Sequence, residues 1–182
     1  MAKVWHRRCK QLFAAWVIAW LYASPAVAEL KTHQIKAAYL YQISKFVFWP
    51  ESRKNVSQFE VCQLGKDQYG GILDKMSGRL VFSKPVVVKS VKDLNEAKNC
   101  HLLVISSPET IKTEALRKWL KTHQALTVVD GDEYWDKGMV TFVLEKHRVR
   151  LHINLSLAEH SGLSFAANLL EVASHIYRGG PK

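Results

Sequence analysis

The amino-acid sequence predicts a three-layer α/β sandwich, and three features support that class. Apolar segments of strand length alternate with short helical segments, which predicts a mainly parallel sheet covered on both faces. Two of the strands, "CHLLVISS" (100–107) and "ALTVVD" (125–130), are almost continuously apolar, as buried parallel strands are. The last pair, "MVTFVLEKHRVRLHIN" (139–154), predicts an antiparallel hairpin that turns at Lys146-His147. We therefore expect one domain with a flavodoxin-like or Rossmann-like architecture.

Other segments are assigned from the same patterns, in chain order. Two more strands are predicted at "FEVCQLG" (59–65) and "KPVVVKSV" (84–91). Short helices or turns are predicted at "KDQYGGILDKM" (66–76), "KDLNEAKN" (92–99) and "GDEYWDKG" (131–138). From Leu155 to Arg178 the pattern is helical, with a break near Gly162.

Two longer helices are predicted with defined ends. The stretch "QIKAAYLYQISKFVFWP" (34–50) carries an apolar stripe from Ile35 to Val47, and Pro50 stops the helix. The second helix covers 107–123, with Ser107 as N-cap and Pro108 in the first helical position.

Residues 1–28 have the three parts of a secretory signal peptide. "MAKVWHRRCK" is basic, "LFAAWVIAWLY" has no charge, and Ala26-Val27-Ala28 supplies an A-x-A cleavage site. The alternative is an uncleaved anchor helix, but this apolar run is short of the roughly 20 residues that cross a bilayer. We expect cleavage after Ala28 and a periplasmic domain at 29–182.

The charge of the chain does not require a nucleic-acid partner. Cleavage removes four of the 26 basic residues and none of the 16 acidic ones, so the net charge falls from +10 to +6. This excess favours acidic partners or anionic lipid surfaces, but an ordinary soluble charged surface is the more common explanation.

Two cysteines, Cys62 and Cys100, remain after cleavage. An even number of cysteines in an oxidising compartment favours a disulfide, and two separate buried thiols are the alternative.

The motifs of common enzymes and metal sites are missing from the sequence. Gly65 and Gly70 have the spacing of a phosphate-binding loop, but the lysine and hydroxyl that should follow are replaced by Gly71 and Ile72. No histidine or cysteine spacing matches a metal site. We therefore expect no catalytic residues, no metal and no cofactor. If a small ligand binds, it should lie beyond the carboxyl ends of the strands, near Gly65, Ser106 and Asp130.

The opening helix has more aromatic residues than one packed face requires. Such a stripe usually forms part of a core, but aromatic side chains are also enriched where proteins contact partners. The candidate partner-binding residues are Tyr39, Tyr41, Phe46, Phe48 and Trp49.

The chain resembles the YfiR-like family of periplasmic proteins. The resemblance extends from Ile35 to Ala173, and its most specific parts are "KAAYLYQISKFVFWP", the Cys-His pair before the third strand, and "RVRLHINLSLAEHSGL". Two features depart from the family pattern: Lys137-Gly138 replaces a Gly-Gly pair, and a second cysteine pair found in some members is missing.

The resemblance implies a non-catalytic regulator that is usually a dimer. Such a protein binds the periplasmic part of an inner-membrane diguanylate cyclase and represses it, and an outer-membrane peptidoglycan-associated lipoprotein can sequester the repressor. Cys62 and Cys100 match family positions that link the first and third strands of the sheet. A small-ligand sensor serving envelope transport or signalling is the alternative function.

Overall fold

The computed structural model describes the backbone of residues 25–179 and the side chains of residues 32–179. The predicted signal peptide lies outside the described residues up to position 24, and its cleavage after Ala28 stays a prediction. Within the described part of the chain, no helix is both long and apolar enough to cross a membrane.

Residues 25–179 contain five α-helices, three 3₁₀ helices and ten strands, joined by turns and loops. The α-helices are α1 (Pro25–Ile43), α2 (Glu51–Lys54), α3 (Thr113–His123), α4 (Leu155–His160) and α5 (Ala167–Glu171). Three 3₁₀ helices cover Ile72–Met76, Pro108–Thr110 and Asp132–Tyr134. The strands are β1 (Val47–Phe48), β2 (Phe59–Leu64), β3 (Leu80–Val81), β4 (Lys84–Val91), β5 (Leu102–Ile105), β6 (Leu126–Asp130), β7 (Val140–Glu145), β8 (Arg148–Asn154), β9 (Ser164–Phe165) and β10 (His175–Tyr177).

Eight strands form one mostly parallel sheet in the order β10-β8-β7-β6-β5-β2-β4-β3. The β7–β8 and β3–β4 pairs are antiparallel, and the other neighbours are parallel. The α/β class and the C-terminal hairpin are therefore confirmed. The turn of that hairpin lies where predicted, with positive φ angles of 46° at Lys146 and 62° at His147, as a type I′ turn requires.

The opening helix is shorter at its C-terminal end than the sequence predicts. It ends at Ile43, and the next residues turn so that β1 pairs antiparallel with β9, with Val47 opposite Phe165. The helical assignment of Phe46 and Val47 is therefore wrong. Their β-branched and aromatic neighbours favour extended backbone, and β9, whose Phe165 lies 118 positions after Val47, supplies the partner.

The second long helix begins later than predicted. Ser107 precedes a 3₁₀ turn and makes no side-chain capping bond, and α3 starts only at Thr113 because Ile111 is extended. The turn is closed by Thr110 Oγ1, which donates to Ser107 O at 2.8 Å. The N-cap prediction for Ser107 is therefore wrong.

Two further helical predictions are corrected. Residues 92–99 form turns, because Asp93 Oδ1 accepts from the amides of Asn95 and Glu96 at 2.8 and 3.0 Å. The segment from Leu155 to Arg178 is only partly helical, since it contributes β9 and β10. These strands pair with distant segments, so no local periodicity reveals them.

The Gly-Gly pair of the family pattern is Lys137-Gly138 in this chain, and close packing explains why the second position is glycine. A Cβ at this position would lie 2.5 Å from Val129 Cγ2 and 2.8 Å from Val140 O. The neighbouring Lys137 uses its ammonium group to donate to Pro108 O. The change from glycine to lysine is therefore accommodated, because the side chain reaches across to the β5–α3 connection.

Cys62 and Cys100 form a disulfide, with their Cα atoms 5.8 Å apart. Cys62 lies in β2, Cys100 precedes β5, and neither is more than 1% exposed. The bond therefore crosslinks two neighbouring central strands inside the core.

Removing the disulfide with the double substitution Cys62→Ala/Cys100→Ala should lower the free energy of unfolding by about 4 kcal/mol. The reason is that a crosslink across a sequence separation of 38 residues restricts the unfolded chain. Urea unfolding of both proteins under non-reducing conditions measures the difference. Equal midpoints, or two free thiols by mass spectrometry of the parent protein, would contradict this prediction.

Candidate functional site

A stack of three rings joins the segment after α1 to the central sheet. Trp49 is 5% exposed and meets Phe59 and His101 edge-on, at ring-centroid distances of 5.6 and 5.9 Å. Phe59 and His101 stack at 4.7 Å. The indole Nε1 donates to Ser44 O at 3.3 Å, which satisfies its buried N–H. Trp49 is therefore part of the core.

His101 is buried as a neutral ring. Its Nδ1 accepts from the Glu60 amide at 3.1 Å, so Nε2 carries the proton and donates to Arg53 O at 3.2 Å. Burial, together with the nearby charge of Arg53, lowers the pKa of His101 to about 4. The ring acts as a fixed connector between β2 and α2.

Arg53 ties α2 to the segment that contains the disulfide. Its guanidinium donates to Asn99 O at 3.1 Å and to Cys100 O. Partial burial lowers its pKa, although the charge of Glu60 acts in the opposite direction. The Nε atom is buried and has no hydrogen-bond partner among the described residues.

An open apolar groove, called the edge groove below, lies beside this stack. It has a volume of about 440 Å³ and is lined by β1, α2, the start of β2 and the tip of the β3–β4 hairpin. Its charged lining side chains are Arg53, Lys54 and Lys84, and none of the described residues that line it is acidic. Phe48 and Phe82 stand at its border, 61% and 54% exposed. The groove therefore combines apolar walls with a basic rim.

The five predicted partner-binding residues do not share one surface. Trp49 is in the core, and Phe46 is half-buried against it. Tyr41 turns towards β3, where its hydroxyl donates to Leu80 O at 3.0 Å. Phe48 borders the edge groove, and Tyr39 lies on a different surface.

That second surface, called the α1 strip, consists of Ile35, Tyr39 and Leu144, which are 40%, 37% and 62% exposed. Tyr39 packs against Phe142 with ring centroids 6.2 Å apart. Leu144 lies two residues further along β7, on the same face as Phe142. The sequence pointed to Tyr39, but Ile35 and Leu144 required knowledge of which positions the sheet leaves uncovered.

The predicted ligand residues are only partly brought together. Gly65 and Ser106 end β2 and β5 side by side, with the Ser106 amide bonded to Leu64 O at 2.9 Å. An adjacent cavity of about 390 Å³ is lined by Gly65, Lys92, Asp93, Ser107 and Lys112, among others. We call this cavity the strand-end crevice.

Asp130 is already engaged by the protein's own groups. Lys36 of α1 places its Nζ 2.9 Å from Asp130 Oδ1, and the hydroxyl of Tyr69 donates to Oδ2 at 3.3 Å. Burial, followed by the Asp130 charge, raises the pKa of Tyr69 and keeps it protonated. Asp130 therefore fastens α1 over the end of β6.

His152 is the centre of a charged cluster that sequence spacing did not indicate. Its Nδ1 lies 2.7 Å from Asp132 Oδ1, and its Nε2 lies 3.2 Å from Glu145 Oε1. Tyr177 of β10 donates to Asp132 Oδ1 at 2.9 Å. The cluster fastens the C-terminal strand beside the β7–β8 hairpin.

Glu60, Cys62 and Cys100 bring ligand atoms within 4.8 Å of one another, which is close enough for a metal ion. Both sulfur atoms belong to the disulfide, so neither is a thiolate ligand. Glu60 is held by Lys89 at 2.8 Å. Partial burial acts in the opposite direction, but hydrogen bonds from Lys89 and Gln58 keep the pKa of Glu60 below its ordinary value. This group is structural.

The fold and its surfaces define a flavodoxin-like α/β sandwich with apolar surface at two separate places. A protein-family comparison matches residues 33–174 to the family described as YfiR/HmsC-like. The match covers more than half of the chain, and the chain belongs to this family. A search of curated proteins finds no match. The family is regulatory rather than catalytic and is associated with the periplasm and with diguanylate cyclase signalling.

Lowering the pH from about 7.5 to about 5 should destabilise the fold by about 2 kcal/mol through His101. The ring has an ordinary pKa of 6.5 when unfolded and about 4 when folded. The unfolded state therefore binds the proton first, and the stability present above pH 6.5 is lost as the pH falls towards 4. Urea unfolding across this range measures the loss. His101→Gln should flatten the dependence, whereas an unchanged slope would assign it to other groups.

Proposed function

We propose that this protein is a periplasmic regulator that binds the periplasmic part of an inner-membrane diguanylate cyclase and represses it. The observation that carries the proposal is the family match over residues 33–174, which includes most of the α/β body. Binding lowers the synthesis of cyclic di-GMP and thereby opposes biofilm formation. The protein requires no turnover of a substrate for this role.

The α1 strip is the surface that we assign to the cyclase. Ile35 and Tyr39 are four positions apart and therefore lie on one face of α1. Tyr39 packs against Phe142, and Leu144 lies on the same face of β7 as Phe142. Ile35, Tyr39 and Leu144 are all exposed. Aromatic residues often dominate the binding energy of protein interfaces, so Tyr39 is the proposed anchor.

We also propose a location, an oligomeric state and a second partner, the first from the pattern of residues 1–28 and the others from the family resemblance. A signal peptide cleaved after Ala28 places the domain in the periplasm, the active form is a homodimer, and an outer-membrane peptidoglycan-associated lipoprotein removes the repressor from the cyclase. Tyr41, Phe46 and Trp49 support the fold around these surfaces rather than contacting the cyclase directly.

Substituting Leu144→Asp should weaken repression by roughly tenfold, because a carboxylate would be buried against the partner. A strain that lacks the gene should have raised cyclic di-GMP, measured by mass spectrometry of cell extracts. The parent gene should restore the low level, and Leu144→Asp should fail to do so at equal protein abundance.

The matched control is Lys118→Asp, an exposed change on α3 that leaves the α1 strip intact. It should repress like the parent protein. Unchanged cyclic di-GMP after deletion of the gene would contradict the proposed function. Full repression by Leu144→Asp would contradict only the assigned surface.

A second candidate function is the binding of a small anion in the strand-end crevice. Ligands of doubly wound sheets bind beyond the carboxyl ends of the strands where the strand order reverses. Here β2 and β5 meet at that place. The lining includes two lysines, Lys92 and Lys112, one carboxylate, Asp93, and Ser107, so positive charge is in excess.

Thermal unfolding with inorganic phosphate and with small carboxylates tests this second function. A ligand at about 100 times its Kd should stabilise the fold by about 2.7 kcal/mol. Lys112→Ala should remove the effect, whereas Lys118→Ala should retain it. No stabilisation by any of these anions would exclude the second function for this class of ligand.

A further inference from the structure

We propose that a second surface of this protein binds the anionic face of a phospholipid bilayer. This surface, called the edge patch below, consists of three exposed apolar residues, Phe48, Leu80 and Phe82, surrounded by Lys45, Lys54, Arg79 and Lys84. The apolar side chains enter the interfacial region of the lipid, and the basic side chains contact lipid phosphates. The proposal concerns a different surface from the α1 strip and does not depend on the proposed function.

The edge patch arises because short strands place alternate residues on opposite sides. In β1, Val47 is 2% exposed while Phe48 is 61% exposed. In the hairpin, Val81 is fully buried, whereas Leu80, the other residue of β3, is 57% exposed. Phe82, in the turn that follows β3, is 54% exposed. The inward residues pack in the core. Phe48 and Phe82 line the same groove, and Leu80 is two residues before Phe82 in the same hairpin.

The hairpin tip keeps Phe82 exposed despite an unfavourable backbone conformation. Phe82 has a φ of 49° and Ser83 a φ of 63°. A two-residue turn of this kind prefers Asn-Gly, and a bulky aromatic residue with positive φ is rare. Stability alone would not select phenylalanine here. A large apolar ring at the tip of a projecting turn is instead suited to entering a bilayer interface.

Basic groups surround these apolar side chains. Lys45 Nζ and Arg79 Cζ lie 4.1 and 5.1 Å from the centroid of the Tyr41 ring, and the Tyr41 hydroxyl is bonded to Leu80 O. Lys84 follows the turn directly. Tyrosine with adjacent lysine and arginine is typical of residues at the boundary between lipid and water.

Unpaired positive charge beside an exposed apolar hairpin tip favours an anionic bilayer as the occupant. Around the edge patch, the positive charge of Lys54 is offset by Glu51, 2.6 Å away. Lys45, Arg79 and Lys84 make no ion pair within the described residues. Three unpaired cations beside apolar residues at a hairpin tip are complementary to anionic lipid headgroups, and each such cation adds to the attraction.

Co-sedimentation of the exported, processed chain with vesicles tests the proposal. Phosphatidylethanolamine vesicles with and without phosphatidylglycerol are the probes. Binding should be at least roughly fivefold stronger with phosphatidylglycerol and should weaken as salt is added.

Two variants and one matched control separate the apolar from the electrostatic contribution to vesicle binding. One variant removes an apolar ring and the other removes a positive charge. Phe82→Asn should weaken binding roughly fivefold while leaving the thermal stability unchanged or raised, because asparagine tolerates positive φ. Lys84→Gln should reduce both the binding and its dependence on salt. Leu144→Ser, at the 62% exposed leucine of the α1 strip, should bind vesicles like the parent protein.

The proposal would be overturned if vesicle binding were equally strong with and without phosphatidylglycerol. It would also be overturned if Phe82→Asn and Leu144→Ser lost vesicle binding to the same extent. No vesicle binding together with weaker repression by Phe82→Asn would overturn it as well and would assign the edge patch to a protein partner. The two proposals can fail separately. If the protein binds anionic vesicles but deletion of its gene leaves cyclic di-GMP unchanged, this inference is supported and the proposed function is contradicted.

Discussion

The contact between Trp49 and His101 is the interaction on which both sides of the edge groove depend. Trp49 belongs to the segment that leaves α1, and His101 follows the disulfide and precedes β5. His101 in turn holds the Glu60 amide and the Arg53 carbonyl. Because these bonds require a neutral ring, the packing of β1 and α2 on the sheet is coupled to the protonation of one buried histidine. The same packing directs Phe48 outward.

The two exposed apolar surfaces are separated along the sheet. The edge patch includes β3, the last strand in the order, whereas the α1 strip includes Leu144 of β7, near the other edge. Under the two proposals above, the protein would lie on a bilayer through one surface and present the other to a membrane-anchored partner. Confinement to the membrane would raise the effective concentration of this protein near its partner. Weak individual contacts would then suffice for regulation.

The candidate surfaces were only partly predictable from sequence. The sequence identified the stretch from Tyr39 to Trp49 as unusually aromatic, but its side chains lie in different environments. Trp49 is packed in the core, Tyr41 is hydrogen-bonded to β3, and Phe48 is exposed. An aromatic residue has the same apolar character in each place, so composition does not distinguish them. Leu80 and Phe82 were missed because their importance depends on a two-residue strand at the sheet edge.

The sequence by itself determined the α/β class, the parallel strands, the position of the hairpin turn and the candidate pair of cysteines. These features follow from local apolar patterns, turn chemistry and the small number of cysteines. The tertiary structure alone decided that residues 47–48 pair with β9, that 175–177 join β8, and that Lys36 neutralises Asp130. Each of these contacts joins residues far apart in the chain, and its free energy depends on what the rest of the fold buries.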